Sequence, residues 1–99
     1  MSPQAVISSN FPGAEIVSQG LTDLAADRGS ISSDAVAMAA TRLRDAGITV
    51  PALRAGEPAA HRLYQRLRDE DARTAHSRYN AIVRRVVSFA RAAEHARAG

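Results

Sequence analysis

The chain has 99 residues, none of them cysteine or tryptophan, and every basic side chain is arginine, so lysine is missing as well. Without cysteine there is no disulfide framework, no thiolate nucleophile and no cysteine-ligated zinc site. No run of about 18 apolar residues occurs, so no membrane-spanning helix is expected. Residues 1–10 lack a charged stretch followed by an apolar one; no signal peptide is expected, and the cytoplasm is the default compartment. Two Phe and two Tyr are the only aromatic residues, too few for a nucleic-acid stacking platform. The nucleophile-elbow, phosphate-loop and dinucleotide motifs are all missing. The histidines His61, His76 and His95 form no pair four apart and have no acid in fixed register, so neither a metal nor any other cofactor is expected.

What remains is an alanine-rich helical composition. Hydrophobic residues make up 45% of the chain, and 21 of them are alanine, which favours helix while burying little area per side chain. The larger apolar residues suffice for one modest core, and burial against another chain would help it. Charge is uneven: residues 1–50 hold three Arg and five acids, residues 51–99 ten Arg and five acids. The C-terminal half is therefore the side that meets any anionic partner. Exclusive Arg usage alongside abundant Ala also fits GC-rich coding, which weakens it as a sign of nucleic-acid binding.

Apolar spacing predicts an all-α fold, a compact bundle of about four helices at 13–28, 33–46, 58–69 and 71–97, with a long C-terminal helix. Residues 1–12 read as a flexible N-terminal segment and 13–99 as a single helical domain. Val17, Leu21 and Leu24 mark the first helix, and Gly20 within it reads as a close contact with a neighbouring helix. Gly29 breaks the pattern, and Ser32 or Ser33 is placed to cap the second helix, with Asp34 in its first turn. Gly47 holds the left-handed position after that helix. Residues 48–57 read as an extended loop pinned to the core. Pro58 suits the first turn of the third helix. The acids Asp69, Glu70 and Asp71 separate it from the last, one bent helix being the alternative, and Ala72, Ala75, Tyr79, Ile82, Val86, Phe89 and Ala93 form a heptad-like seam. Val83 and Val87 widen that apolar face beyond what one neighbour needs. Either this helix is central to the bundle or part of its face meets another chain.

The polar cluster His76, Ser77, Tyr79 and Asn80 in mid-helix is the one candidate site. Ser and Asn are poor helix-interior residues, so the cluster reads as a hydrogen-bond network, structural first and partner-recognising second. A buried, neutral His76 would make fold or complex sensitive to acid through about pH 6.5. The leading expectation is a non-catalytic interaction module that binds a protein partner or itself through His76, Arg78, Tyr79, Asn80, Val83, Arg84, Arg85 and Val87; Tyr and Arg suit such a role. The alternative is a small nucleic-acid-binding protein using Arg62, Arg66, Arg78, Arg84, Arg85 and Arg91. Against that stand the helical ion pairs expected for Arg66–Glu70, Asp69–Arg73 and Arg91–Glu94. A third reading, a ribonuclease, rests on Arg54 and His61, whose separation is similar to the Arg and His of dimeric helical ribonuclease domains. The acids read as lying in turns and on exposed faces, with no acid–base pair among them.

The segments Ile16-Val17-Ser18-Gln19-Gly20-Leu21-Thr22-Asp23-Leu24-Ala25-Ala26 and Ala75-His76-Ser77-Arg78-Tyr79-Asn80-Ala81-Ile82-Val83-Arg84-Arg85 resemble small uncharacterised all-helical proteins of high-GC actinobacteria. That resemblance implies a bacterial cytoplasmic accessory protein, of the antitoxin-like or regulatory kind, and carries no activity or site residues.

Overall fold

A stripe of apolar residues at alternating spacings of three and four needs other helices to cover it, and the last helix finds all of them. The computed structural model of the protein describes residues 10–53 and 56–98. Among these, five helices occur: α1 (Ala14–Ala25), α2 (Ile31–Met38), α3 (Ala40–Asp45), α4 (Ala59–Glu70) and α5 (Ala75–Ala98). The fold is all-α, as expected. At about 1.5 Å per residue, the 24 residues of α5 account for most of the 41 Å long axis. α5 packs against each of the other four helices, so it is central to the bundle. Its seam residues Ala75, Ile82, Val86, Phe89 and Ala93 are buried with Val17, Val36, Leu43, Leu63 and Leu67. Phe11 lies edge-on to Phe89 at 5.7 Å, which ties residues just ahead of α1 to the core; Val6 and Ile7 lie outside the described residues.

Several helix limits differ from the pattern-based expectation, each for a local reason. α1 ends at Ala25, three residues short of the expected 28: Asp27 takes the left-handed position at φ 57. Its N–H bonds Leu24 O, and that of Arg28 bonds Asp23 O at 2.7 Å, the paired closure usually built on glycine. α2 is capped by Ser30, not Ser32 or Ser33. Ser30 Oγ accepts the Ser33 N–H at 3.0 Å, and Ser33 Oγ accepts the Ser30 N–H at 2.8 Å, a reciprocal box that satisfies two otherwise orphaned donors. The expected helix 33–46 bends at Ala39 (φ −101, ψ 15) into α2 and α3. Gly47 does hold the left-handed position after α3, at φ 92, and Ile48 N–H bonds Leu43 O at 2.9 Å.

Beyond α3, Ile48 and Val50 are buried whereas Leu53 is 40% exposed, so the start of the loop is pinned to the core. Pro58 precedes α4 instead of entering it. Asp71 breaks the chain with an extended backbone, and its side chain accepts the Arg73 N–H at 3.0 Å. α5 consequently begins at Ala75, and Ala72 lies exposed outside the seam. No helix among the described residues is long and apolar enough to cross a membrane.

α1 and α2 lie closest together at Gly20. A Cβ there would collide with Ser32 O and Val36 Cγ2. Helix propensity alone makes Gly20→Ala a gain of about 1 kcal/mol, but overpacking against a fixed backbone costs about 1–3 kcal/mol. The variant is expected to be destabilised in urea unfolding; a raised midpoint would mean the two helices do not touch there.

Candidate functional site

Sequence patterning places the candidate residues on α5, and the structure divides them. Tyr79 turns inward: it is half-buried, its ring lies edge-on to Tyr64 at 5.9 Å, and its hydroxyl donates to Met38 Sδ at 3.5 Å. His76, Ser77 and Asn80 face outward and are exposed. Asn80 Nδ2 lies 3.3 Å from His76 Nε2, so the expected cluster reduces to one surface pair plus a packed tyrosine. An exposed His76 removes the ground for an acid-sensitive fold through that residue. Val83 and Val87, one turn apart, are half-buried and stand outside the core cluster. Arg78 bonds Glu70 at 2.8 Å and Arg85 bonds Glu15 at 2.5 Å, each pinning α5 to a neighbouring element. Arg84 and Arg91 are exposed and have no carboxylate partner among the described residues.

None of the three pairs expected within helices forms among the described residues. Glu70 is turned to Arg78, Glu94 reaches Arg42 at 3.5 Å, and Asp71, not Asp69, meets Arg73 at 3.7 Å. Of the six arginines considered for nucleic acid, Arg62, Arg66, Arg78 and Arg85 hold carboxylates. His61 is exposed, 3.6 Å from Glu57; Arg54, its suggested ribonuclease partner, lies outside the described residues. No group of three metal-ligating side chains occurs among those described.

Two carboxylates read as surface groups are in fact buried. Asp23 is 3% exposed near the end of α1. It accepts bonds from Ser30 Oγ at 2.7 Å, Gln19 Nε2 at 2.9 Å and Arg28 Nη1 at 3.0 Å. The same Ser30 caps α2, so one carboxylate ties the end of α1 to the start of α2. The Ser30 hydrogen bond, with those of Gln19 and Arg28 and the Arg28 charge, lowers its pKa against the opposing cost of burial.

Asp34, also 3% exposed, sits in the first turn of α2. Its Oδ1 accepts Arg62 Nε at 3.2 Å and its Oδ2 accepts Arg66 Nε at 2.5 Å. Those arginines are four apart on α4, beside the buried Leu63 and Leu67, so one acid clamps one helical face. The second amino group of the Arg62 fork is held by Glu57 O. The available signal was the Arg62/Arg66 spacing flanking an apolar stripe, which lets one facing acid reach both.

Beside the clamp lies a cleft of about 450 Å³ between the α1–α2 turn, α2, the loop at Leu53 and α4, into which Arg28, Arg62 and Arg66 project. No protein-family model, curated protein or solved structure matches the chain.

Two expectations follow. Asp34→Asn removes a buried charge that two half-exposed arginines share. It is expected to cost about 1–3 kcal/mol in denaturant unfolding, the lower part of the range for buried pairs because Arg62 and Arg66 can rehydrate; no loss would mean the clamp is not formed. For Asp23 the folded pKa lies below the unfolded one, so its stabilisation is complete above an ordinary carboxylate pKa of about 4 and lost as pH falls through the lowered value. The stability gap between the wild type and Asp23→Asn should therefore close on acidification below that pH. A gap that persists unchanged at pH 2 would show that the charge contributes nothing.

Proposed function

We propose that the protein is a non-catalytic interaction module of a cytoplasmic, regulatory or antitoxin-like kind, which docks a protein partner on the outer face of α5. The observation that carries this reading is the pair Val83 and Val87, part-exposed outside the core cluster and flanked by Arg84 and Arg91, which have no carboxylate partner among the described residues. An apolar centre with an arginine rim is the composition of an interface hot spot, and the exposed His76–Asn80 pair extends the face towards the start of the helix.

Charge selects the partner. No acid occurs between Asp71 and Glu94, and Glu94 is turned to Arg42. A second copy laid on this face would set arginine against arginine, which costs affinity. A partner helix with an apolar ridge and an acidic rim is complementary instead. Nucleic acid is the weaker alternative, since four of the six arginines considered for it are paired with carboxylates, which offsets much of the positive charge that would draw a polyanion.

A photo-crosslinking residue at Val83, compared with one at Ser18 on α1, tests this in cells. The expected product is a protein with an acid-rimmed amphipathic helix, and its purified complex should weaken by about a hundredfold in Val83→Glu/Val87→Glu, a size typical of hot-spot loss, with helicity retained. Crosslinks to nucleic acid or only to a second copy would overturn the reading. Loss of helicity in the double variant would mean that the two valines are core.

A further inference from the structure

The clamp on Asp34 leaves chemistry unused on its open side. Arg62 and Arg66 both bond the carboxylate through Nε, and no terminal amino group of either fork bonds it. Arg62 Nη1 is taken by Glu57 O. Neither terminal amino group of Arg66 has an acceptor among the described residues. Its side chain is 40% exposed and that of Arg62 34%, so these donors are half withdrawn from water and already oriented. Gly29 makes room for the arrangement: a Cβ there would lie 2.5 Å from Arg66 Nη2 and 3.5 Å from its Cζ. The guanidinium thus rests against bare backbone on one side and a buried carboxylate on the other.

The acids nearby do not cancel this. Asp34 has committed both oxygens, and the Glu57 carboxylate lies by His61. Asp27 also lines the cleft and is itself engaged in another interaction. Leu24, Ala37, Ala52 and Leu53 supply the apolar part of the lining. Leu53 is the one exposed large hydrophobic side chain among the described residues. A volume of about 450 Å³ falls within the ~300–1,000 Å³ of small-molecule sites.

We infer that this cleft binds a small amphipathic oxyanion, an alkyl carboxylate or alkyl phosphate, with its head on Arg66 and Arg62 and its tail along Leu24 and Leu53. A planar guanidinium with its terminal amino edge free receives two oxygens of one head group together. Exclusion of water by the tail strengthens that contact. The site is separate from the α5 face, and neither reading depends on the other.

The test is titration of the ¹⁵N-labelled full chain with hexanoate, hexyl phosphate and inorganic phosphate, followed by amide and Arg Nε resonances. Saturable shifts are expected at Gly29, Ser33, Ala37, Leu53 and Arg66, with at least one hexyl compound about tenfold tighter than inorganic phosphate. The tighter of the two hexyl compounds identifies the head group. Arg66→Gln should weaken that ligand about tenfold, and Leu53→Ser should weaken it several-fold while leaving inorganic phosphate unchanged; Arg84→Gln should alter neither. Should Arg66→Gln lose helicity, the exposed Leu53 position decides. Non-saturating shifts, shifts centred on Arg84 and Arg91, equal affinity for inorganic phosphate, or indifference to Leu53→Ser would each overturn the assignment.

Discussion

A carboxylate withdrawn from water has to be met by cations or hydrogen-bond donors, and in this protein that requirement sets how the helices are arranged. Asp34, in the first turn of α2, meets it with Arg62 and Arg66 from one face of α4. Because the two arginines are one turn apart, a single acid fixes both the rotation of α4 about its axis and its position along α2. That rotation sends Leu63 and Leu67 into the core and brings Tyr64 edge-on to Tyr79 of α5. The cleft lies beside the same clamp, lined by Asp34, Arg62 and Arg66, whose arginine terminal amino groups make no bond to the carboxylate.

The α1–α2 connection obeys the same logic at shorter range. Asp23 binds Ser30, Ser30 caps α2, and the Arg28 backbone and side chain both return to Asp23. A turn so closely wired lets the two helices approach to the contact at Gly20. Alanine-rich helices bury little area per side chain, so polar fastenings at the helix ends supply orientation that a core of larger side chains would otherwise provide. Such fastenings are costly to break by one partner, because they leave a buried charge behind.

Accounting for charge by contact changes what the arginines mean. The excess of positive charge in the second half of the chain looks like a binding surface when counted along the sequence. Across the fold, Glu15, Asp34 and Glu94 each engage arginines from distant segments, and Glu70 engages Arg78 across the α4–α5 turn. What is left on α5 is Arg84 and Arg91 beside two valines, a pattern for a complementary protein face more than for a polyanion.

The sequence by itself determined the helical class, the seam of α5, the break at Asp69–Asp71, the left-handed Gly47 and the intimacy of Gly20, because each follows from spacing or backbone freedom within a few residues. It also marked the arginine pair at Arg62 and Arg66 without saying what they faced. Tertiary structure decided the rest. It buried Asp23 and Asp34, turned Tyr79 inward and His76 outward, moved the cap of α2 to Ser30, and put Glu15 and Glu94 on arginines far along the chain. The reason is physical: periodicity reports which side of a helix is apolar, whereas the partner of a charged side chain is set by helices packed tens of residues away, whose relative rotation no local pattern contains.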